Sequence, residues 1–387
     1  MGECKDRLVT ICILVYRNYQ YIYTALESVF LQDYRNIELI ISDDGSDNFP
    51  LEAVKSFIDE YAGDNIKNVI INIEKENVGT VKHLNKLIEI SNGDYLVALA
   101  GDDSFYDSKT ISRYIDNFIN YPGYSIQMAQ TAMYDITLKN LDYYYCQPDI
   151  IKLLHDNEFD KLLERIIEFP YFPTTSTCYT KELFDKIGVF DETYKLIEDW
   201  PYHIKLLKNR VPILYSNFIA IKHRDGGISH SENSILSKTK KQYYSDMLKI
   251  YTMECLPYVD KHPHNKELAE HVRMNMQWTE YLLKEKFSEK ITFACSHPFN
   301  TLKSFLKRTH ESFIYYGNAI LLVSGLLYFL FPLLNGYFVK DILKLFRHQV
   351  YSLSLVLLIF GIILLGLGKI GRKLTIWEYF PGFKGFN

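Results

Sequence analysis

Asp94-Tyr-Leu-Val-Ala-Leu-Ala-Gly-Asp-Asp-Ser104 is the stretch that decides the fold. It is apolar from Tyr95 to Ala100 and then runs into two adjacent carboxylates, Asp102 and Asp103. A run without polar alternation belongs to a strand covered on both faces, and its end opens into the crevice where open α/β sheets hold ligands. Adjacent carboxylates repel unless a cation or a hydrogen-bond donor lies between them. Two readings stand at this point: a divalent cation bridging the pair to a ligand's phosphates, or a turn in which Asp103 or Asp107 caps the next helix.

The stretches before it repeat the design. Leu8-Val-Thr-Ile-Cys-Ile-Leu-Val15 reads as a strand ending at Tyr16-Arg17-Asn18, and Ile37-Glu-Leu-Ile-Ile41 as a second ending in Ser42-Asp-Asp-Gly-Ser-Asp47. Asn68-Val-Ile-Ile-Asn-Ile73 is a third. Between them, Tyr19 to Gln32, Leu51 to Tyr61 and Thr80 to Ile90 carry apolar residues at helical spacing. Strands alternating with helices of this length define parallel βαβ units, with polar loops gathered at the strand ends.

Beyond residue 104 the pattern loosens. Ser125 to Met133 and Ile213 to Ile221 read as strands, Phe159 to Phe169, Glu182 to Ile187 and Asp199 to Asn209 as helices, and Thr174 to Thr180 as a polar strand or loop. The helix from Asp199 opens acidic and closes with Lys205, Lys208 and Arg210, a charge order that suits its dipole. Residues 235 to 300 look helical and polar, without recognisable chemistry.

The net charge of −4 over 387 residues does not suggest a nucleic-acid partner. From residue 300 onward ten Lys and Arg face three Asp and Glu, so a basic, aromatic tail follows an acidic body. Phe313 to Leu334 and Gln349 to Gly368 carry no charge. About 20 helical residues cross a hydrocarbon core, so a membrane-associated hairpin is expected there. Lys340, Lys344 and Arg347 leave an interfacial or re-entrant segment open. Six scattered cysteines without a CxxC pair are expected to stay reduced, and the short run at 8–15 reads as a strand and not a signal core. On these features the body is expected at the cytoplasmic face of the cell membrane.

Val15-Tyr-Arg-Asn18, Ser42-Asp-Asp-Gly-Ser-Asp47, Glu76-Asn-Val-Gly79, Ala100-Gly-Asp-Asp103, Gly188-Val-Phe-Asp-Glu192 and Glu198-Asp-Trp200 occur in that order. In this series residues 8 to 230 resemble the family 2 glycosyltransferases, of the bacterial surface-polysaccharide kind with a membrane tail. The resemblance implies a GT-A fold, α/β and Rossmann-like with a mostly parallel sheet. It also implies a nucleoside diphosphate sugar donor, UDP-linked by preference, and inversion at the anomeric carbon. The expected organisation is a catalytic domain at 1–230, with a nucleotide-sugar half at 1–104 and an acceptor half at 105–230. A helical linker at 231–312 and a membrane region at 313–387 follow.

By the same resemblance Tyr16, Arg17 and Asp43 or Asp44 contact the nucleotide, with Asn77 and Lys82 as lesser donor contacts. A carboxylate suits that place because it accepts from a base N–H or ribose hydroxyls. Asp102 matches the last carboxylate of the family's Asp-X-Asp metal motif, whose first position is Ala100 here. Asp103 and His223 complete a candidate site for Mn²⁺ or Mg²⁺, which assists departure of the diphosphate. Asp199 matches the base that removes the acceptor proton, with Glu198 orienting the acceptor or Trp200; an N-terminal helix cap is the alternative for Asp199. Trp200 is either a sugar-stacking ring or a core residue. His223 and Arg224 precede Gly226-Gly227, a turn expected to close over the diphosphate, with the imidazole suited to a metal and the guanidinium to a phosphate; a satisfied surface His is the alternative. The acceptor is expected to be a lipid-linked or polymeric glycan, with other polysaccharide-assembly proteins as possible partners. A processive synthase is the runner-up, but no Trp follows an Arg as its Gln/Arg-X-X-Arg-Trp motif requires. A catalytically silent binding or assembly protein is the third reading.

Overall fold

The computed structural model describes residues 7–225, 237–284, 314–316, 318, 320–321, 323, 353–367 and 369. The chain divides into two compact units, Met1–Thr279 and Glu280–Asn387.

The first unit is built on a nine-stranded sheet. Strand β1 (Val9–Val15) is central and pairs in parallel with β2 (Ile37–Asp43) and β4 (Tyr95–Ala100), while β3 (Ile66–Ile73) extends the sheet beyond β2. The opening stretch is thus β4, and all of β1 and β2 is buried or nearly so. Side chains alternate between two cores, as the period-2 geometry of a strand requires. Ile11, Ile13, Leu39, Ile41, Val97 and Leu99 fall on one face, and Cys12, Ile40 and Leu96 on the other. Each fully buried aliphatic side chain contributes about 1.5–3 kcal/mol, so this double-sided burial sets the register firmly. Helices α1 (Ile22–Phe30), α2 (Leu51–Tyr61) and α3 (Thr80–Ile90) form the crossovers. A short 3₁₀ turn at Tyr19–Tyr21 opens the first of them.

Past β4 the sheet changes direction. A two-residue strand β5 (Ser104–Phe105) and helix α4 (Thr110–Asn120) lead into β6 (Ile126–Tyr134), β7 (Leu141–Tyr144), α5 (Pro148–His155) and α6 (Phe159–Glu168). Then follow β8 (Thr177–Thr180), α7 (Lys181–Ile187), α8 (Asp199–Lys208) and β9 (Leu214–Arg224). The order across the sheet is β3-β2-β1-β4-β8-β6-β9-β5, with β7 on β6. Because β8 is antiparallel to both β4 and β6, while β6 and β9 are parallel, one sheet edge collects the ends of β1, β2, β4, β6 and β9 and the start of β8. Every chemistry-bearing motif of the sequence lies on or beside that edge.

The motif series ends near residue 230, but the compact unit continues to Thr279 through α9 (Lys238–Ile250), a π-helical turn, α10 (Leu256–Lys261) and most of α11 (Lys266–Leu283). Cys12, Cys146, Cys178 and Cys255 are buried free thiols. Most of the apolar run 313–334 lies outside the described residues, whereas 353–367 of the run 349–368 are described and helical. Among the described residues no helix is long and apolar enough to cross a membrane.

Candidate functional site

The edge begins with three interlocked loops. At the end of β1, Tyr16 is half-buried and Arg17, at φ 63°, lays its guanidinium 5.0 Å from the Tyr16 ring. The Arg17 N–H donates to Ser46 Oγ at 2.7 Å, which ties this loop to the one after β2. Gly45 sits at φ 72°, and a Cβ there would stand 2.5 Å from the Glu76 carbonyl carbon, so only glycine lets the second loop rest on the third.

Asp43 and Asp44 are adjacent and both buried, yet their surroundings differ. Asp44 is used internally: Oδ1 accepts from Val78 N (2.8 Å), and Oδ2 from Asn77 Nδ2 (2.8 Å) and Gly79 N (3.1 Å). Burial raises its pKa against those bonds. Asp43 accepts from Ser46 N at 2.7 Å through Oδ2, while among the described residues its buried Oδ1 has no hydrogen-bond partner. An ionisable oxygen held in that state is costly unless a ligand donates to it. Asn77, expected among the donor contacts, spends its amide on Asp44 and braces the loop. Lys82 is exposed on α3, where no hydrogen bond or ion pair among the described residues joins it to this loop.

Behind β2, Ser42 Oγ and His83 Nε2 lie 2.5 Å apart, and Asn72 Nδ2 donates to Ser42 Oγ at 2.9 Å. Burial depresses the His83 pKa, opposed by Asp44, Glu74 and Asp43. The sequence offers no sign of this pair, because a histidine on a helix face reads as any other polar residue.

The second cluster joins the ends of β4 and β9. Asp102 is partly exposed, and Asn18 Nδ2 donates to its Oδ2 at 3.2 Å. Burial and then the Asp103 charge raise its pKa, with His223 and Asn18 opposing. Asp103 is 1% exposed and fully engaged, Oδ2 with His223 Nδ1 (2.9 Å) and Oδ1 with Arg224 N (2.9 Å). Burial pulls the His223 pKa down, but the charge and hydrogen bond of Asp103, with Asp102 and Asp225, more than offset it and leave it raised. Neither Asp103 nor Asp107 caps α4: its N-cap, Lys109, makes no side-chain cap bond, and Asp107 accepts from Lys109 N and pairs with Arg113. Arg224 donates Nε to the Asp102 carbonyl at 2.8 Å and stacks 4.0 Å over the Tyr21 ring. Its guanidinium therefore locks strand ends and is not free to clamp a phosphate. The Gly226-Gly227 turn lies outside the described residues.

Among the described residues no three His, Cys, Asp or Glu side chains gather as a metal cage. Asp102 and His223 nevertheless suit a cation shared with a diphosphate. Asp102 is a carboxylate under repulsion with room for a ligand, and His223 is oriented through Nδ1 by Asp103, the usual support behind a metal-binding imidazole. Asp103 is then the support and not a ligand.

The third cluster stands at α8. Asp199 is its first residue; Oδ2 accepts from Thr174 Oγ1 and Oδ1 from Trp200 N, both at 2.7 Å. Glu198, the N-cap, makes no side-chain cap bond. Burial, the Asp199 charge and Asp246 push the Glu198 pKa up to about 8. Pro201 fits because the first helical turn has no intrahelical N–H bonds to lose. Trp200 corrects the sugar-stacking expectation. It is 2% exposed, donates Nε1 to Ile166 O at 2.6 Å and meets Tyr251 edge-on at 5.3 Å, which leaves no face for a ligand. One turn along, His203 is fully buried against Phe172, both ring nitrogens lack hydrogen-bond partners among the described residues, and burial lowers its pKa to about 4. Thr174 comes from the polar run that also brings Ser176 and Thr175 onto Thr131.

The mostly parallel sheet with flanking helices fits a GT-A-type α/β fold, and its edge gathers a buried carboxylate, a carboxylate–imidazole pair and a carboxylate at a helix start. Residues 10–188, a little under half of the chain, match the model of Glycosyl transferase family 2. The chain is similar to an uncharacterized glycosyltransferase of Rickettsia typhi, 29% identical over 228 residues, covering 56% of this chain and 64% of the relative. An uncharacterized glycosyltransferase of Rickettsia felis is 30% identical over 227 residues, 56% of this chain and 34% of its own length. A PGL/p-HBAD biosynthesis glycosyltransferase of Mycobacterium tuberculosis is 23% identical over 218 residues, covering 55% of this chain and 75% of the relative. The chain thus spans about a third to two thirds of the length of the two rickettsial relatives. Among solved structures, S. aureus TarS 1-349 in complex with UDP-GlcNAc aligns at TM-score 0.50 and 16% identity, covering 98% of this chain and 94% of that one, a likeness of fold.

Proposed function

We propose that the protein transfers a sugar, with inversion, from a nucleoside diphosphate sugar to a hydroxyl of a lipid-linked or polymeric glycan in bacterial cell-surface polysaccharide synthesis. The observation that carries this reading is Asp43 Oδ1, a buried acceptor without a hydrogen-bond partner among the described residues. It sits at the end of β2, where its register partner Val15 ends β1 and the first two loops meet, as a nucleoside with an imide N–H or ribose hydroxyls would need. The UDP-GlcNAc bound to S. aureus TarS makes a UDP-sugar the first donor to test.

The remaining groups divide the chemistry. Asp102 and His223 would hold a divalent cation, Mn²⁺ or Mg²⁺, which when bound offsets charge on the diphosphate leaving group. Asp199 takes the proton of the acceptor hydroxyl; its two hydrogen bonds come from donors, which keep it an acceptor and fix its direction. We place the domain at the cytoplasmic face of the cell membrane. Residues 353–367 are helical and expose Leu355, Val356, Ile359, Phe360, Ile362 and Ile363 by half or more, a surface that suits lipid.

The test is release of nucleotide from UDP-, GDP-, CDP- and TDP-sugars by the purified protein with Mn²⁺ or Mg²⁺ and a glycolipid acceptor. Acceptor-stimulated release from one nucleotide class supports the reading. No release from any donor, with no nucleotide bound, would leave only a structural or assembly role.

A further inference from the structure

We infer that α9, which lies beyond the residues matched by the family model, completes the transfer site, and that Asp246 on it is the positioning residue for the segment carrying Glu198 and Asp199. This inference rests on the glycosyl-transfer reading of Asp199.

The argument starts from one buried carboxylate. Asp246 is 3% exposed, and its Oδ2 accepts three consecutive backbone N–H groups, from Lys195 (2.9 Å), Leu196 (2.6 Å) and Ile197 (3.3 Å). Gln242, one turn earlier on α9, donates to Oδ1 at 3.0 Å and fixes the carboxylate's direction. A carboxylate meeting successive N–H groups is a strong, charge-assisted anchor. It holds the backbone one residue before Glu198 and two before Asp199. Two further contacts run along the same segment: Lys249 Nζ donates to Thr193 O at 2.8 Å, and Tyr251 meets Trp200 edge-on.

The anchored segment also touches the nucleotide side. Lys195 O accepts from Val81 N at 3.2 Å, and Gly79, at φ 91°, lies so near that a Cβ would stand 2.7 Å from Lys195 O. Gly79 N in turn donates to Asp44. A continuous chain of contacts therefore runs from the loop after β2, through Val78–Gly79 and Lys195, to Asp246. Helix α9 sets the place of the base relative to the donor, although sequence periodicity marks it only as a polar helix.

The test uses the full chain with Asp246→Asn, Asp246→Glu and the milder Gln242→Ala, the last kept in case a change at Asp246 prevents folding. Turnover is measured together with donor KM, UDP affinity and peptide-resolved hydrogen exchange. A misplaced base costs turnover and not donor binding, so kcat is expected to fall about 10- to 100-fold in Asp246→Asn. UDP affinity and donor KM stay within about threefold of wild type, a split that loss of general stability would not produce. Exchange of the Lys195–Ile197 amides accelerates while the β1 and β2 amides keep their protection. Asp246→Glu recovers part of kcat, and Gln242→Ala shifts kcat and exchange in the same direction by less. Unchanged exchange at 195–197, or parallel loss of kcat, UDP affinity and protection throughout, overturns the inference. If wild-type protein transfers nothing, the proposed function fails, and the exchange arm alone decides whether Asp246 anchors the segment.

Discussion

Replacing Asp43 with Asn separates ligand recognition from stability, because its two oxygens have different employment. Oδ2 receives the Ser46 N–H, and Oδ1 receives no hydrogen bond from the described residues. An Asn at this position keeps an oxygen for Ser46 and turns an NH₂ toward the ligand, so a donor then meets the nucleotide's own donor. A hydrogen bond to a charged group contributes about 1.5–3 kcal/mol, and about 1.4 kcal/mol is a factor of ten. UDP affinity should therefore fall about 10- to 100-fold. Folding of the nucleotide-free protein should change by less than about 1 kcal/mol, since no protein hydrogen bond is lost. Asp44→Asn should do the opposite. Its carboxylate accepts three donors, and any amide orientation sets an N–H against one of them, which costs about 1–3 kcal/mol of stability. Calorimetric titration with UDP and denaturant unfolding of both variants give the four numbers. Wild-type affinity in Asp43→Asn, combined with lost affinity and intact stability in Asp44→Asn, would refute the assignment.

Glu198→Gln should flatten the pH dependence of stability. The folded Glu198 carboxyl, at about 8 against an ordinary 4.5, binds its proton more tightly than the unfolded one. Wild type therefore loses stability relative to the Gln variant as pH rises from 5 to 8, on the order of 1–4 kcal/mol; parallel curves in denaturant titrations would contradict this. Trp200→Phe should cost about 2–4 kcal/mol through lost volume and an unpaired Ile166 carbonyl, with acceptor KM unchanged; a raised acceptor KM at wild-type stability would return Trp200 to the binding surface. Asp103→Asn should weaken Mn²⁺ binding in the presence of UDP about 10- to 100-fold, read from the paramagnetic signal of free Mn²⁺. Unchanged Mn²⁺ affinity would mean that His223 needs no support or holds no cation.

The first hundred residues are legible because their strands are buried on both faces. Val9–Val15 and Tyr95–Ala100 leave no alternative to central parallel strands, and the carboxylates after them mark the edge. Past Ser104 legibility drops for physical reasons. β5 has two residues and no periodicity, and β7 is exposed at every position, so neither shows a burial pattern. Helix α4 buries Ile111, Tyr114, Ile115 and Phe118 at helical spacing, a signal present in the chain that the reading of 105–123 leaves out.

Motif order singles out these acidic residues but does not say which oxygen is free. Asp43 and Asp44 are equivalent as sequence; Gly45 and the backbone of 77–79 distinguish them. Asp102 and Asp103 divide in the same way, one open and one spent on His223 and Arg224. Trp200 carries the motif's tryptophan but turns inward, because α6 offers a carbonyl and the turn at Tyr251 a ring. Asp246 was beyond reach of motif reading, since its partners are backbone N–H groups 49–51 residues away.

The central claim, that Asp199 is the base of a glycosyl transfer, is tested most directly by Asp199→Asn with the best donor from the nucleotide panel. The account predicts that UDP binds as in wild type while transfer to the acceptor falls about 10²- to 10⁴-fold, the usual contribution of a general base. Transfer within about threefold of wild type would contradict it.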